Sequence, residues 1–181
     1  MEQSTLQQVL VINQKQIMMN KKIISIFIVA TFTILFQATC SAQQADNFAG
    51  TLKINGEIEL GHTPENLTAK FGQPGSTETV FWEMIEKNGT IYFYSGAEFD
   101  FVDNNLRSFI ITSSDFQIYL DSFVLKIGNS INTISTLFPN SYSNRGAQGT
   151  AITLGSADYQ YLNIKTNPEG EITEIELRFI P

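Results

Sequence analysis

Histidine and cysteine each occur once in this 181-residue chain, as His62 and Cys40, so nucleophilic and metal chemistry have little to build on. His62 stands just before Thr63-Pro64, a helix-start signal, with no Glu-x-x-His or cysteine neighbour to complete a zinc site. It reads as a turn residue. Glu57/Glu59 and Glu174/Glu176 are spaced two apart, which puts each pair on one strand face, where a carboxylate dyad could form. Solvated strand edges produce the same spacing, and that is the reading adopted. Asp100, Asp103 and Asn104 match a calcium loop in donor type only, because its glycine and terminal glutamate are missing. They read as a hairpin turn. The sequence has no Gly-x-Ser-x-Gly, no phosphate-binding loop and no dinucleotide fingerprint. No catalytic residue, metal or cofactor is expected, and the chain reads as a non-enzyme.

Recognition is the better lead. Tyr92, Tyr94, Tyr159 and Tyr161 fall in strand-forming runs, with Glu98, Asp100 and Glu174 at alternate positions nearby. Tyrosine offers a large contact area with a polar tip, and it is enriched where proteins bind each other. Alternation puts Phe99, Phe101, Ile175, Leu177 and Phe179 on one face and Glu98, Asp100, Glu174, Glu176 and Arg178 on the other. Tyr92 and Tyr94 oppose Ile91 and Phe93, while Tyr159 and Tyr161 oppose Leu162 and Ile164. The four tyrosines and the three acidic residues are therefore expected on the helix-free face, as protein-binding residues. Tyrosines serving simply as strand formers would give the same pattern.

The elements that must position these residues come in two rounds. Gly61-His62-Thr63-Pro64 leads to Leu67, Phe71 and Gly72; Gly128-Asn129-Ser130 leads to Ile131, Ile134 and Phe138-Pro139. Thr63 and Ser130 suit helix N-caps, Pro64 suits a first helical position, and Gly72 and Pro139 suit helix ends. Helices this short are marginal alone and must pack on a sheet. Strands are expected over 52–60, 79–86, 90–94, 97–102, 106–113, 118–127, 150–154, 159–165 and 171–179. Lys87-Asn88-Gly89 is expected as a hairpin turn, since Asn-Gly takes positive φ readily. Phe99 and Phe101 match Leu162 and Ile164, and Phe109 and Ile111 match Ile175 and Leu177. The fold class is α+β: two tandem copies of a short helix packed on an antiparallel meander, over 43–114 and 115–181.

Met19-Asn20-Lys21-Lys22 and the apolar run 23–36 form a charged and then apolar segment too short to span a bilayer. This is the pattern of a secretory signal. Cleavage is expected after Ala42, with 1–18 an over-extended start and 1–42 removed. The protein is read as exported, to a periplasmic or extracellular location. Cys40 leaves open a lipidated, outer-membrane-anchored form with a structural or assembly role, although Gln37 stands where such signals carry leucine. From Gln43 onward the chain holds 8 Lys/Arg and 17 Asp/Glu, a net charge of −9. That repels phosphate backbones, so nucleic acid is not an expected partner. The partner is expected to be a protein, with membrane contact only through an acylated Cys40.

Leu60-Gly61-His62-Thr63, Phe71-Gly72-Gln73-Pro74 and the following meander resemble the module shared by β-lactamase-inhibitor proteins and SmpA/OmlA-type outer-membrane assembly lipoproteins. The tandem arrangement is similar to that of the inhibitors and covers 49–179. The resemblance implies the fold given above. No inhibitory residue carries over, Phe138-Pro139 replaces the Gly-x-Pro in the second copy, and the inhibitors' two intramodule disulfides are impossible with one cysteine.

Overall fold

Alternating apolar residues dominate the chain after residue 45, and strands dominate the structure, a computed structural model that describes residues 45–155 and 160–179. Cys40, the expected cleavage site and Tyr159 lie outside the described residues. In chain order the elements are β1 (Asn47–Phe48), β2 (Leu52–Ile54), α1 (Pro64–Phe71), β3 (Ser76–Trp82), a 3-10 turn (Glu83–Ile85), β4 (Lys87–Tyr94), β5 (Ala97–Val102) and β6 (Asn105–Ile111). They continue with β7 (Gln117–Leu120), β8 (Phe123–Lys126), a 3-10 helix (Ile131–Ser135), α2 (Pro139–Ser143), β9 (Gly149–Leu154), β10 (Gln160–Thr166) and β11 (Ile172–Phe179). The class is α+β. An 8-stranded sheet runs β1-β9-β10-β11-β6-β5-β4-β3, and a 3-stranded sheet runs β2-β7-β8.

The large sheet buries one face. Phe99, Phe109, Ile111, Leu162, Ile164, Ile175 and Leu177 from that face join Leu67, Ile118, Leu125, Ile134 and Phe138 from the helices and the small sheet in one core. Each such side chain contributes about 2–3 kcal/mol by leaving water, which is what holds the short helices in place.

The two rounds of elements meet the sheet in the same way. The Gly61 N–H donates to the Leu106 carbonyl (2.9 Å), and the Leu106 N–H donates to the His62 carbonyl (2.8 Å). Gly128 with Ile172, and Ile172 with Asn129, repeat both bonds at 2.8 Å. Each ladder also slips once. Asp100 faces Ser108 while Phe101 faces Leu106, which leaves Arg107 over; Lys165 faces Glu174 while Thr166 faces Ile172, which leaves Thr173 over. Asp100 therefore corresponds to Lys165, and Ser108 to Glu174. Phe99 corresponds to Ile164 rather than to Leu162, a two-residue correction fixed by the pairing of each ladder beside its slip. At the seam, Phe109 faces Leu177, Ile110 faces Glu176 and Ile111 faces Ile175. Ile110 and Glu176 hold matching places in the two ladders and face each other.

Several local expectations change. Ile131–Ser135 is 3-10 rather than α-helical, and Pro139 opens α2 instead of closing the preceding helix. The Thr133 and Ser135 hydroxyls bond back to the carbonyls of Ser130 (2.9 Å) and Asn132 (2.7 Å), an alternative that disfavours regular helix. Lys87, Asn88 and Gly89 are not a turn but pair in β4 with Trp82, Phe81 and Val80; the chain turns at 83–86 instead. The 118–127 run is a hairpin, broken at Asp121, whose φ is 52°.

Gly61 and Gly128 hold φ at 84° and 86°, and a Cβ at either would meet nothing within 4 Å. The cost of a side chain is thus the backbone conformation alone. Gly61→Ala and Gly128→Ala should each lower stability by about 1–2 kcal/mol in urea titration. Clearly unequal losses would mean that the two turns are not equivalent.

Candidate functional site

Partners across an antiparallel ladder share a face, so the uncovered side of the large sheet can be read from its register. One row across the strands is Glu98–Ile110–Glu176, and the next is Ile91–Asp100–Ser108. The segment from Phe81 through the 3-10 turn to Ile85 rises beside these rows and closes a groove of about 560 Å³. Met84 and Phe81, at its mouth, are 75% and 60% exposed. Trp82 lies against Gly89, where a Cβ would come within 2.6 Å of the indole Nε1. That explains a glycine inside β4. The Trp82 Nε1 is buried and has no hydrogen-bond acceptor among the described residues.

The floor is charged as well as apolar. Burial pushes the Asp100 carboxyl above the ordinary carboxylate range; a hydrogen bond from Ser108 opposes this, and nearby Glu98 adds to it. The Ser108 Oγ donates to Asp100 Oδ2 at 2.5 Å. Glu176 is 4% exposed and is tied to Arg178 Nε at 2.5 Å. That hydrogen bond and its charge hold the Arg178 guanidinium above its ordinary value. Glu176 and Arg178 also line a second depression of about 670 Å³ beside Gly149 and Lys165, so their ion pair stands between the two hollows.

Of the residues expected on this face, Glu98 and Asp100 line the groove. Glu174 is on the same face, bonded to Lys165 at 2.6 Å, and Tyr161 pairs with Arg178 beyond the groove. Tyr92 and Tyr94 are corrections. They face Phe99 and Ala97 across β5 and so stand on the helix side. The Tyr92 ring meets Phe101 edge-on at 5.0 Å, and Tyr94 packs on Phe71, Phe99 and Phe116. The Tyr94 hydroxyl donates to the Gly72 carbonyl at 2.9 Å. Hydropathy favours Ile91 as the inward residue, but β5 fixes the register, and Phe99 and Phe101 must face inward.

Sequence reading passed over Trp82, Met84, Ile91, Ser108 and Ile110. The alternation Ser108-Phe109-Ile110-Ile111 held the signal for two of them. The carboxylate pairs are separately engaged: Glu59 binds Lys53 at 2.8 Å, Glu57 binds Lys70, and His62 Nδ1 accepts the Glu59 N–H at 3.3 Å, closing its turn. Asp103 and Asn104 form the β5–β6 turn with φ of 50° and 61°. Among the described residues no three His, Cys, Asp or Glu side chains gather as a metal site, and no helix is long and apolar enough to cross a membrane.

No family model matches the chain, and no curated protein matches it. Among solved structures, a 1.5 Å crystal structure of an extracellular protein containing an SCP domain from Bacillus anthracis is similar at 11% identity, with a TM-score of 0.42. The match covers 68% of this chain and 44% of that one. A likeness of that size bears on neither fold nor function here.

The Asp100 carboxyl gives a pH test. Its pKa is raised above the ordinary 3.8, so the folded state holds the proton more tightly than the unfolded chain. The resulting stability is full below 3.8 and is lost as pH rises through the raised value. Asp100→Asn has no such proton to lose. It should gain stability relative to the parent as the pH is raised from below 3.8 through the raised value in urea titrations; a difference that stays flat with pH would refute the burial effect.

Proposed function

We propose that this is an exported, non-enzymatic protein-binding module that uses the open face of its large sheet. The observation that carries the reading is the groove itself, where exposed Met84 and Phe81 flank an apolar floor set with Asp100 and Glu98. Met is flexible and polarizable and adapts to a partner surface. Exposed apolar groups rimmed by polar ones mark interaction sites on proteins. The two carboxylate pairs support binding over catalysis, since Glu57, Glu59, Glu174 and Glu176 each hold a basic side chain.

The chain is, in this reading, a tandem duplication of the module shared by β-lactamase-inhibitor proteins and SmpA/OmlA-type lipoproteins. The reciprocal backbone bonds at Gly61 and Gly128 and the matching ladder slips support it. The charged and apolar segment ahead of Gln43 supports export.

Two measurements test this. Purified protein used as bait should capture a stoichiometric protein from envelope or extracellular fractions, and Met84→Glu combined with Ile110→Lys should abolish the capture while leaving the melting temperature within a few degrees, as expected of partly exposed positions. Capture that survives these changes would place the binding surface elsewhere. Intact mass of the exported form should show Gln43 at its N-terminus; a diacylglycerol adduct on Cys40 would show the anchored form instead.

A further inference from the structure

The groove has a charge imbalance that points to its occupant. Its charged lining comprises Glu83, Glu98, Asp100 and Glu176 against Arg107 and Arg178. Arg178 is bound to Glu176, and Arg107 already has a partner within the protein. Asp100, at the floor, receives a neutral hydroxyl from Ser108, and no basic group is among the influences on its carboxyl. Glu98, two residues away on the same strand face, adds a like charge. In a partly desolvated floor such a pair attracts a cation more strongly than it would in water.

The matching half of the sheet shows what is missing. Lys165 and Glu174 occupy the positions that correspond to Asp100 and Ser108, and they close on each other as an ion pair at 2.6 Å. There the protein supplies its own cation. In the matching place the Asp100 carboxylate meets, among the described residues, a hydroxyl.

We propose that the groove takes a lysine or arginine side chain, presented by an extended segment of a partner protein, with the Asp100 carboxylate as its countercharge. This rests on the reading of the open face as a protein-binding surface, and it names the chemistry that surface selects. Trp82, Met84, Ile91 and Ile110 offer an apolar wall to the methylene stem while the charged end reaches the floor. The indole face is suited to a cation. A free amine would leave Met84 and Phe81 as exposed as they are now; a polypeptide would cover them. The net charge of −9 from Gln43 onward draws a basic partner toward the surface before contact.

Trp82 is the sole tryptophan, so it reports on its own groove. The purified protein is titrated with capped Thr-Val-Thr-X-Thr-Val-Thr peptides, with X lysine, arginine or norleucine, following Trp82 fluorescence and its indole N–H resonance. Lysine and arginine peptides should bind about tenfold more tightly than the norleucine peptide. Asp100→Asn should erase that difference, and Glu169→Gln, in an exposed turn, should not. Equal binding of the norleucine peptide, or no response of Trp82 to any peptide, overturns the proposal. Equal binding of spermidine and the lysine peptide overturns a polypeptide as the source. If the cation preference fails while protein capture still depends on Met84 and Ile110, the binding reading stands and only the charge assignment falls.

Discussion

The pairing of β6 with β11 is the constraint on which the rest of the structure depends. It joins two meanders into one sheet, and antiparallel partners must share a face. Phe109, Ile111, Ile175 and Leu177 therefore all point inward at the seam, where each is at most 1% exposed. Without that ladder each meander would carry an open central edge, with unpaired backbone groups beside its largest apolar side chains. The same pairing places Ile110 against Glu176 on the opposite face. Glu176 is buried by its neighbours, a costly position for a carboxylate, and its short bond to Arg178 offsets part of that cost.

How much was legible in the sequence follows from how unambiguous each alternation is. In 174–178 charged and apolar residues take turns, so both the strand and its faces can be read directly, and Ile175 and Leu177 are buried as that alternation requires; the slip at Thr173 turns Ile172 inward as well. In 90–94 both alternating sets are hydrophobic. Ile91 and Phe93 look more like core than Tyr92 and Tyr94, and only the register with β5 decides otherwise. Tyrosine can take the inner position because its hydroxyl reaches the edge of the core, where the Gly72 carbonyl at the end of α1 accepts it. Asn88-Gly89 misleads for a related reason. The glycine serves a contact with Trp82 made across the ladder, and no local spacing records such a contact.

The groove was hidden for the same physical reason. Its floor can be derived once the strands are paired, since Asp100, Ser108 and Ile110 fall into neighbouring rows. Its wall cannot. The stretch Glu83–Ile85 reads as a continuing strand, with Met84 as an ordinary apolar residue, until the backbone reverses there and Glu86 takes φ of 51°.

The two halves share a ladder but use their outer edges differently. Beside β9 the edge position is taken by β1, only two residues long, and it is held from outside the sheet. Asp46 accepts the Ser141 N–H at 2.8 Å and the Asn140 side-chain amide at 2.9 Å, and its own N–H donates to the Ser141 hydroxyl at 2.9 Å. That edge is committed to tying the start of the described chain to α2. Beside β4, in the matching place, stands the seven-residue β3, and the turn that follows it brings Trp82 and Met84 over the open face. Matching ladders alone would put like surfaces on both sides of the seam. The strand β3 with its turn, and Asp100 and Ser108 where the other ladder has a lysine–glutamate pair, are what set the surface beside β4 apart from that beside β9.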